Sequence, residues 1–197
     1  CAANFYDHPA YKMKLVGVTG TKGKTTITYI LESILRQAGF SVGVIGTISY
    51  RGPGFEVQAV RTTPESVDLQ QMLKEMVDRG VTHGIMEVSS HSLELKRVAG
   101  ISFDVAVFTT LSGEHLDFHP SMEDYFAAKA RLFTELLDSK ATAIINYDDP
   151  WGRKLVGLLK GSVFTYGLEP GPDIMATGIH ESFSGLKFSV MAHGMKY

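Results

Sequence analysis

A glycine-rich segment near the start of the chain has the residue types of a phosphate-binding loop. Residues 20–26 read GTKGKTT and lie between an apolar run and an amphipathic run. Gly20 and Gly23 let the backbone curl so that its N–H groups face a phosphate, and the amino end of a following helix favours the same anion. Lys24 would reach the terminal phosphates, and the Thr25 hydroxyl would bind Mg²⁺. The predicted nucleotide contacts are Gly20, Thr21, Lys22, Gly23, Lys24, Thr25 and Thr26.

This loop is a variant of the ordinary P-loop. The general motif has a glycine five positions before Gly23, and here that position is Val18. The alternative interpretation is a plain glycine-rich turn with a solvated lysine. A predicted strand before the loop and a predicted helix after it favour the phosphate site, because the motif is specific only in that context.

Two ionisable residues stand where apolar ones are expected. Glu87 closes an apolar run, where a carboxylate is costly unless it binds something, and Mg²⁺ prefers oxygen ligands. A capping or salt-bridged glutamate is the alternative. Lys129 falls on the apolar face of a predicted helix, so it either extends to water or is functional. Burial favours its neutral amine, which is the form that reacts with carbon dioxide.

Three further polar residues form a compact cluster in the sequence. His115, Asp117 and His119 alternate along EHLDFH, and imidazole suits zinc. The lone cysteine, Cys1, is far away and no second cluster accompanies these residues. Zinc is therefore the less favoured interpretation.

Composition limits the class of protein. The 197 residues are 44% apolar with a net charge of −2, which indicates one globular domain without general attraction to nucleic acid or anionic membranes. No apolar run reaches the roughly 18 residues of a membrane span. A single cysteine excludes an intrachain disulfide and fits a reducing compartment, and the first residues lack the apolar core of a secretory signal.

The elements that must position these residues alternate between strand and helix. Strands are predicted at 14–19, 41–47, 84–88, 103–110, 142–146 and 162–167, with a hairpin turn at 52–54 and an antiparallel strand pair around 182–191. This rhythm predicts an α/β fold, a mostly parallel sheet with helices on both faces and a small antiparallel extension. Such sheets bind ligands at the carboxyl ends of their strands.

Helix boundaries follow from capping residues and periodicity. One helix follows the glycine-rich loop and ends before Gly39, with Thr28, Glu32 and Arg36 predicted opposite an apolar face. That face comprises Ile27, Ile30, Leu31, Ile34, Leu35 and Ala38. A second helix is predicted from a cap at Thr63 to about residue 79, and a third from a capping box at Ser121 to about residue 137.

The glycine-rich loop resembles that of Mur ligases and folylpolyglutamate synthases, which share its departure from the ordinary P-loop. FYDHP, RTTPES, MEVSSHSLELKRV, FTTLSGEHLDFH, MEDYFAAKARLF and NYDDPWG then follow in the order of one Mur ligase. That member adds the third peptide residue to UDP-N-acetylmuramoyl-L-alanyl-D-glutamate. The resemblance implies that residues 14–197 form the family's central ATP-binding domain and that residues 1–13 are a linker from a missing N-terminal domain. The C-terminal domain is expected to be absent.

The resemblance also implies roles for individual residues. Lys24, Lys129 and His115 are expected to be catalytic. The expected magnesium ligands are Thr25, Glu87, His115 and carbamylated Lys129. The expected muramoyl-peptide contacts are Thr62, Thr63, Ser89 and Arg97, and Asn146 and Asp149 match the adenine and ribose side. Simpler interpretations remain for Thr63 as a helix cap, Ser89 bonded to its own backbone, and NYDDP as a strand-to-helix cap. The chain departs from the family pattern at Lys22, Arg61, Leu95, Thr110 and Glu114.

The function implied is ATP-dependent amide formation through an acyl phosphate, with Mg²⁺, in the bacterial cytoplasm. The partners would be the UDP-N-acetylmuramoyl-dipeptide and a free amino acid, selected by residues beyond Tyr197, with no nucleic acid or membrane involved. We expect the chain by itself to bind nucleotide without catalysing the reaction. The alternatives are another Mur ligase, folylpolyglutamate synthase, or a P-loop GTPase or kinase, although no guanine-reading motif is evident.

Overall fold

A computed structural model describes residues 2–114, 117–183, 185–192 and 194–197 of the chain. In these residues the order of elements is α1 (Ala2–Phe5), a 3-10 turn (Pro9–Lys12), β1 (Lys14–Thr19), α2 (Lys24–Gln37), β2 (Val42–Ile45), β3 (Ser49–Gly52), β4 (Phe55–Gln58), α3 (Ser66–Asp78), β5 (His83–Glu87), α4 (Ser90–Glu94), β6 (Phe103–Phe108), α5 (Met122–Thr134), β7 (Leu137–Asn146), α6 (Pro150–Val156), β8 (Ser162–Gly167), β9 (Ile174–Ser182), β10 (Gly185–Ala192) and β11 (Met195–Lys196). No helix in the described ranges is long and apolar enough to cross a membrane.

The strands form one sheet, ordered β11-β10-β9-β8-β7-β6-β1-β5-β2-β3-β4 within the described residues. From β2 to β9 every neighbouring pair in this order is parallel, and the strands at both edges pair antiparallel. The prediction of a mostly parallel sheet with a small antiparallel extension is confirmed. The extension is longer than predicted because β9 already begins at Ile174, after the Asp173 carboxylate accepts bonds from the backbone and hydroxyl of Thr165. Ser184, in the predicted turn, lies outside the described residues.

Helices pack on both faces of the sheet, as the alternation predicted. The larger core joins one face to α3, α5 and α6 and includes Phe103 and Phe108. A smaller core joins the other face to α2 and includes Val18, Val44 and Val107. Parallel strands that are covered on both faces appear in the sequence as short continuous apolar runs. Their alternation with helical patterns is what made them recognisable as strands.

The predicted apolar face of α2 is only partly correct. Ile27, Leu31 and Leu35 pack against the sheet, but Ile30 and Ile34 are more than half exposed. Thr28 and Glu32, predicted on the polar side, are buried instead. The reason lies in the neighbouring hairpin, where Arg51 on β3 donates to the Glu32 carboxylate and draws that side of the helix inward. The hydrophobic pattern of α2 by itself does not show that Arg51, on another element, pairs with Glu32.

One helix boundary differs from prediction because a tertiary contact uses the predicted capping residue. The second predicted helix begins at Ser66, and its cap position, Glu65, makes no side-chain cap. Thr63 is engaged elsewhere, since its hydroxyl donates to the carbonyl of Glu87. The Ser121 cap is confirmed, because its hydroxyl accepts from the Asp124 N–H at 3.1 Å.

Residues before the first strand fold onto the body of the domain. Ala3, Ala10 and Met13 are buried, and α1 and the 3-10 turn both contact α3. The segment 2–13 is therefore packed against the sheet's larger core layer.

The buried ion pair between Arg51 and Glu32 yields a stability prediction. Both side chains are about a tenth exposed, and the Nε–Oε2 distance is 2.9 Å. Arg51→Met should lower the free energy of unfolding by about 3 kcal/mol, because it leaves a buried carboxylate with only its outer partner, Arg36. Urea denaturation measures the effect. The double variant Glu32→Leu with Arg51→Met should recover most of the loss, and a double variant no more stable than Arg51→Met would contradict this account.

Candidate functional site

The predicted site residues gather where β1, β2, β5 and β6 end. The glycine-rich loop follows β1, Thr47 follows β2, Glu87 ends β5, and Thr109 follows β6. Parallel neighbours bring these ends to one edge of the sheet, as expected for an α/β fold. α5 adds Lys129 from the larger core layer.

A hydrogen bond and close packing hold the glycine-rich loop against the residues that follow β6. Gly20 has φ +144° and Gly23, the N-cap of α2, has φ +84°, conformations that glycine adopts without strain. The Thr21 N–H donates to the Thr110 carbonyl at 2.7 Å. A Cβ at Gly20 would lie 1.9 Å from Thr109 Oγ1, so a glycine is required there. The backbone is thus held in the curled form that a phosphate needs.

Two lysines converge on one carbonyl of this loop. Lys24 Nζ and Lys129 Nζ each donate to the Gly20 oxygen at 2.9 Å, and Lys24 also donates to the Thr21 carbonyl at 3.0 Å. Burial lowers the pKa of Lys24, while the charges of Glu87 and Glu114 act in the opposite direction. The loop therefore brings two lysine amines beside its backbone, and the amine of Lys24 is placed to contact an anion there.

Lys129 is deeply buried. Its side chain is 1% exposed, and Nζ lies 4.6 Å from the centre of the Tyr125 ring. The pKa of Lys129 is lowered well below its usual 10.5, first by burial and then by the charge of Lys24, with Glu114 opposing. The alternative that this lysine extends to water is wrong, because the amine ends at the Gly20 carbonyl inside the domain. A neutral, reactive amine is the form this environment favours.

Glu87 is a buried carboxylate held by neutral donors. It is 1% exposed; Thr25 and Thr47 hydroxyls donate to Oε2 at 3.0 and 2.9 Å, and the Thr47 N–H donates to Oε1 at 3.0 Å. No ion pair of Glu87 with another described residue is present, so the salt-bridged alternative does not hold within that part of the chain. A buried carboxylate that is hydrogen-bonded to neutral donors beside a glycine-rich loop suits a bound cation.

The donor set fits Mg²⁺ with incomplete protein coordination. The Thr25 hydroxyl and the Glu87 carboxylate are hard oxygen donors side by side. In the ranges that the structure describes, no three His, Cys, Asp or Glu side chains lie close enough to hold a metal among themselves. Mg²⁺ sites completed by phosphates and water are of this kind. His115, a predicted ligand, lies outside the described residues, as does Cys1.

The other two members of the predicted histidine cluster have different environments. Asp117 is exposed, whereas His119 is buried with its ring 5.0 Å from that of Tyr125. His91 stacks 4.1 Å from Phe118 at the edge of the same aromatic group. His119 thus belongs to the packing that supports Tyr125 and, through its ring, Lys129.

Three of the four predicted substrate contacts, Thr63, Ser89 and Arg97, are linked by hydrogen bonds, and the fourth, Thr62, contacts the Thr47 hydroxyl at 3.1 Å. Thr63 is 1% exposed, donates to the Glu87 carbonyl at 2.8 Å and accepts from the Ser89 N–H at 3.2 Å. The Ser89 hydroxyl caps α4 by accepting from the Ser92 N–H. Arg97 donates to the Thr63 carbonyl at 3.4 Å. The local interpretation of Ser89 is thus observed, whereas Thr63 makes a tertiary bond instead of a helix cap.

Asn146 and Asp149 lie further along the sheet edge. Asp149 caps α6 through Oδ1 and accepts from the Leu111 N–H through Oδ2 at 2.8 Å, so the strand-to-helix cap is observed. Asn146 lines a cavity of about 320 Å³ whose other walls include Tyr166 and Phe188. Burial, then the charges of Asp148 and Asp149, raises the pKa of Tyr166 to about 12, which keeps its hydroxyl protonated.

Positions that depart from the family pattern lie mostly at the rim. Lys22 Nζ is 3.9 Å from Glu114, and both side chains are well exposed. Arg61 pairs with Glu65 at 3.6 Å, and Leu95 is half exposed. The pairing of Lys22 with Glu114 spans the loop and the segment after β6.

Two residues of the site were missed by sequence reasoning. Thr47 is the last residue of the strand predicted at 41–47, and Tyr125 lies in the helix predicted from Ser121 without any functional signal of its own. Thr47 follows the short sequence Ile45-Gly46, and a glycine–threonine pair just past a buried strand was an available signal. For Tyr125, whose hydroxyl lies 3.3 Å from Thr21 Oγ1, no sequence signal existed.

Comparison with known proteins gives a consistent result. The family model of the Mur ligase middle domain matches residues 18–197. The UDP-N-acetylmuramoyl-L-alanyl-D-glutamate--2,6-diaminopimelate ligase of Geobacter metallireducens is 49% identical over 190 residues, which are 94% of this chain and 37% of that protein. The chain therefore spans less than two fifths of the length of this relative.

Comparison with solved structures is consistent with the family match. A UDP-N-acetylmuramoyl-L-alanyl-D-glutamate--2,6-diaminopimelate ligase matches 94% of this chain and 38% of its own with a TM-score of 0.83 and 29% identity. The MurF ligase of Thermotoga maritima, solved in complex with ADP, matches all of this chain and 43% of its own with a TM-score of 0.70. At 21% identity this second match shows the fold alone. The chain belongs to the Mur ligase family and carries its middle domain.

Proposed function

We propose that the protein containing this domain is an ATP-dependent ligase that adds the third amino acid to UDP-N-acetylmuramoyl-L-alanyl-D-glutamate in bacterial peptidoglycan synthesis. The observation that carries the proposal is the convergence of Lys24, Lys129, Thr25 and Glu87 on one glycine-rich loop. The relative from Geobacter metallireducens is named for that precursor, which supports the choice of substrate. The reaction belongs to the bacterial cytoplasm, where this precursor and ATP are available.

The loop would bind the phosphates of ATP. Its N–H groups and the amino end of α2 face the anion, and Lys24 turns from its carbonyl partners toward the terminal phosphates. Loop residues 20–26 make these contacts, including Thr21, Lys22 and Thr26. Asn146 and Asp149 lie on the adenine and ribose side, where the cavity beside Asn146 suits a planar base.

Mg²⁺ would be held by the Thr25 hydroxyl, Glu87, His115 and the carbamate of Lys129. When bound, it neutralises phosphate charge that would repel an attacking carboxylate. The burial of Glu87 without an ion pair among the described residues supports this assignment. The depressed pKa of Lys129 supports the carbamate, because a neutral amine is the species that adds to carbon dioxide.

The chemistry proceeds in two steps without a protein nucleophile. The free carboxylate of the precursor attacks the γ-phosphate of ATP, which gives an acyl phosphate and ADP. The amino group of the incoming amino acid then attacks the activated carbonyl, and phosphate leaves. Lys24 supplies positive charge where negative charge accumulates, so its contribution is electrostatic.

The precursor would contact the loop beside β5. Thr62, Thr63, Ser89 and Arg97 lie next to Glu87, so a substrate held there faces the terminal phosphate. Thr63 and Ser89 act mainly through the backbone that they fix, while Thr62 and Arg97 provide side chains. The uridine-binding and amino-acid-selecting domains belong to other parts of the protein, with residues 1–13 as the link to the first. The isolated middle domain binds nucleotide without turnover, since a cleft between domains cannot close on it.

Replacing Lys24 tests the nucleotide site. Lys24→Ala should weaken binding of Mg–ATP at least about 30-fold, because a charge-assisted bond to phosphate is worth roughly 2–3 kcal/mol. Isothermal titration calorimetry on the 197-residue chain measures it, with Lys160→Ala, an exposed lysine outside the site, as the matched control. GTP should bind more weakly than ATP. Unchanged ATP affinity in Lys24→Ala would refute the phosphate role.

Carbamate formation on Lys129 has a direct spectroscopic test. In ¹³C-bicarbonate buffer near pH 8, the wild-type chain should give one slowly exchanging carbamate resonance that Lys129→Ala lacks. The lowered pKa of Lys129 makes its amine available at pH values where exposed lysines are protonated. A spectrum identical for both proteins would count against the carbamate.

The same pKa shift predicts a pH dependence of stability in buffer free of carbon dioxide. The folded pKa of Lys129 lies below the unfolded value of about 10.4. Between these values the unfolded chain binds more protons, so the unfolding free energy of wild type should rise with pH relative to Lys129→Met. The slope approaches at most about 1.4 kcal/mol per pH unit. Denaturant titrations at several pH values measure the difference, and parallel curves for the two proteins would exclude the shift.

A further inference from the structure

Thr47 holds the carboxylate of Glu87 at both oxygens. Its backbone N–H donates to Oε1 at 3.0 Å, and its hydroxyl donates to Oε2 at 2.9 Å. Thr25 is the other described donor to this carboxylate. A carboxylate bonded at both oxygens by one residue has its plane fixed, and not only its position.

Gly46, the residue before Thr47, makes the close approach of Thr47 to Glu87 possible. β2 ends at Ile45, and a Cβ at Gly46 would lie 2.5 Å from Glu87 Oε1, closer than real side-chain contacts. A side chain at position 46 would therefore displace the Glu87 carboxylate from its present position, in which Thr47 reaches both oxygens. The Gly46–Thr47 pair forms a backbone and side-chain cradle for Glu87.

The directions of these hydrogen bonds follow from proton counting. An ionised carboxylate only accepts, so the hydroxyls of Thr25 and Thr47 must both donate to it. The single hydroxyl proton of Thr47 is then used, and in its 3.1 Å contact with Thr62 the donor must be Thr62. Each hydroxyl in the series from Thr62 to Glu87 has a defined orientation.

Counting hydrogen-bond donors and acceptors in the same way shows that oxygen lone pairs at this site remain unoccupied. The two oxygens of Glu87 offer about four acceptor positions, and three are occupied. The Thr25 oxygen, having given its proton to Glu87, also presents lone pairs. Free lone pairs on adjacent hard oxygens suit a divalent cation.

We propose that Thr47 is a positioning residue that orients Glu87 toward the divalent cation accompanying the nucleotide. The inference rests on the proposed nucleotide and cation site. Thr47 acts through Glu87, because its hydroxyl proton is committed to the carboxylate. Losing it removes one of the two hydrogen bonds to Oε2, so the plane of the Glu87 carboxylate is held less firmly and the cation must order it on binding.

The test compares Thr47→Val with Thr47→Ser in the 197-residue chain. Valine preserves the shape and the N–H bond to Oε1 but removes the hydroxyl, whereas serine restores it. The measurement is the Mg²⁺ concentration that gives half of the maximal enhancement of ADP affinity. Thr47→Val should need roughly tenfold more Mg²⁺, the effect of one hydrogen bond to a charged group, with ADP affinity in EDTA unchanged. Thr47→Ser should stay within about threefold of wild type.

Two outcomes would overturn the inference. Thr47→Val with the Mg²⁺ dependence of wild type would show that the hydroxyl does not orient Glu87. Equal losses in the valine and serine variants would overturn the assignment to the hydroxyl, because serine keeps that hydroxyl and should retain the Mg²⁺ dependence of wild type. Melting temperatures within a few degrees of wild type verify that both variants fold.

A ligand-free measurement separates this inference from the proposed function. Absence of ADP binding in wild type would refute the nucleotide site of the isolated domain and leave Thr47 to be judged by crystallography. Crystal structures of Thr47→Val and Gly46→Ala should show the Glu87 carboxylate rotated or displaced, and that of Thr47→Ser should superimpose on wild type. A carboxylate unmoved in both of the first two would overturn the positioning role.

Discussion

The structure depends on the cost of keeping a carboxylate and an amine away from water at the end of a parallel sheet. Glu87 and Lys129 are almost fully buried and do not pair with each other; each is held by neutral groups of surrounding loops. A buried ionisable group that is hydrogen-bonded to neutral groups alone is costly, and a bound ligand lowers that cost. The glycine-rich loop, the cradle at Thr47 and the ring of Tyr125 are arranged by that requirement.

The sheet supplies the rigidity that this arrangement needs. The parallel strands β1, β5 and β6 end at one edge, so residues far apart in the chain become neighbours without long loops. The adjoining β3–β4 hairpin is tied to α2 through Arg51 and Glu32. The helix that carries Thr25 is thereby fixed on one side by the sheet and on the other by an ion pair.

Membership of the Mur ligase family relates these contacts to one proposed function. In the function we propose, the curled loop would bind phosphates, the oxygens of Thr25 and Glu87 would bind a divalent cation, and the buried amine of Lys129 would be modified. Each feature depends on the others: Lys129 bonds the carbonyl of Gly20, and Thr25 at the start of α2 bonds Glu87. Nucleotide, cation and modified lysine would therefore respond to one another through the loop.

The sequence by itself determined the alternation of strands and helices, the glycine-rich loop between β1 and α2 and the local caps, because these depend on residues within a few positions of each other. The Ser121 cap and the glycine at 23 are of this kind. Burial of Lys129 followed from helical spacing, although its partner did not. Tertiary structure alone decided the buried side of α2, the bond of Thr63 to the β5 carbonyl and the grip of Thr47 on Glu87. Each joins elements that are distant in the chain, and one helix or strand pattern contains no information about the partner that packs against it.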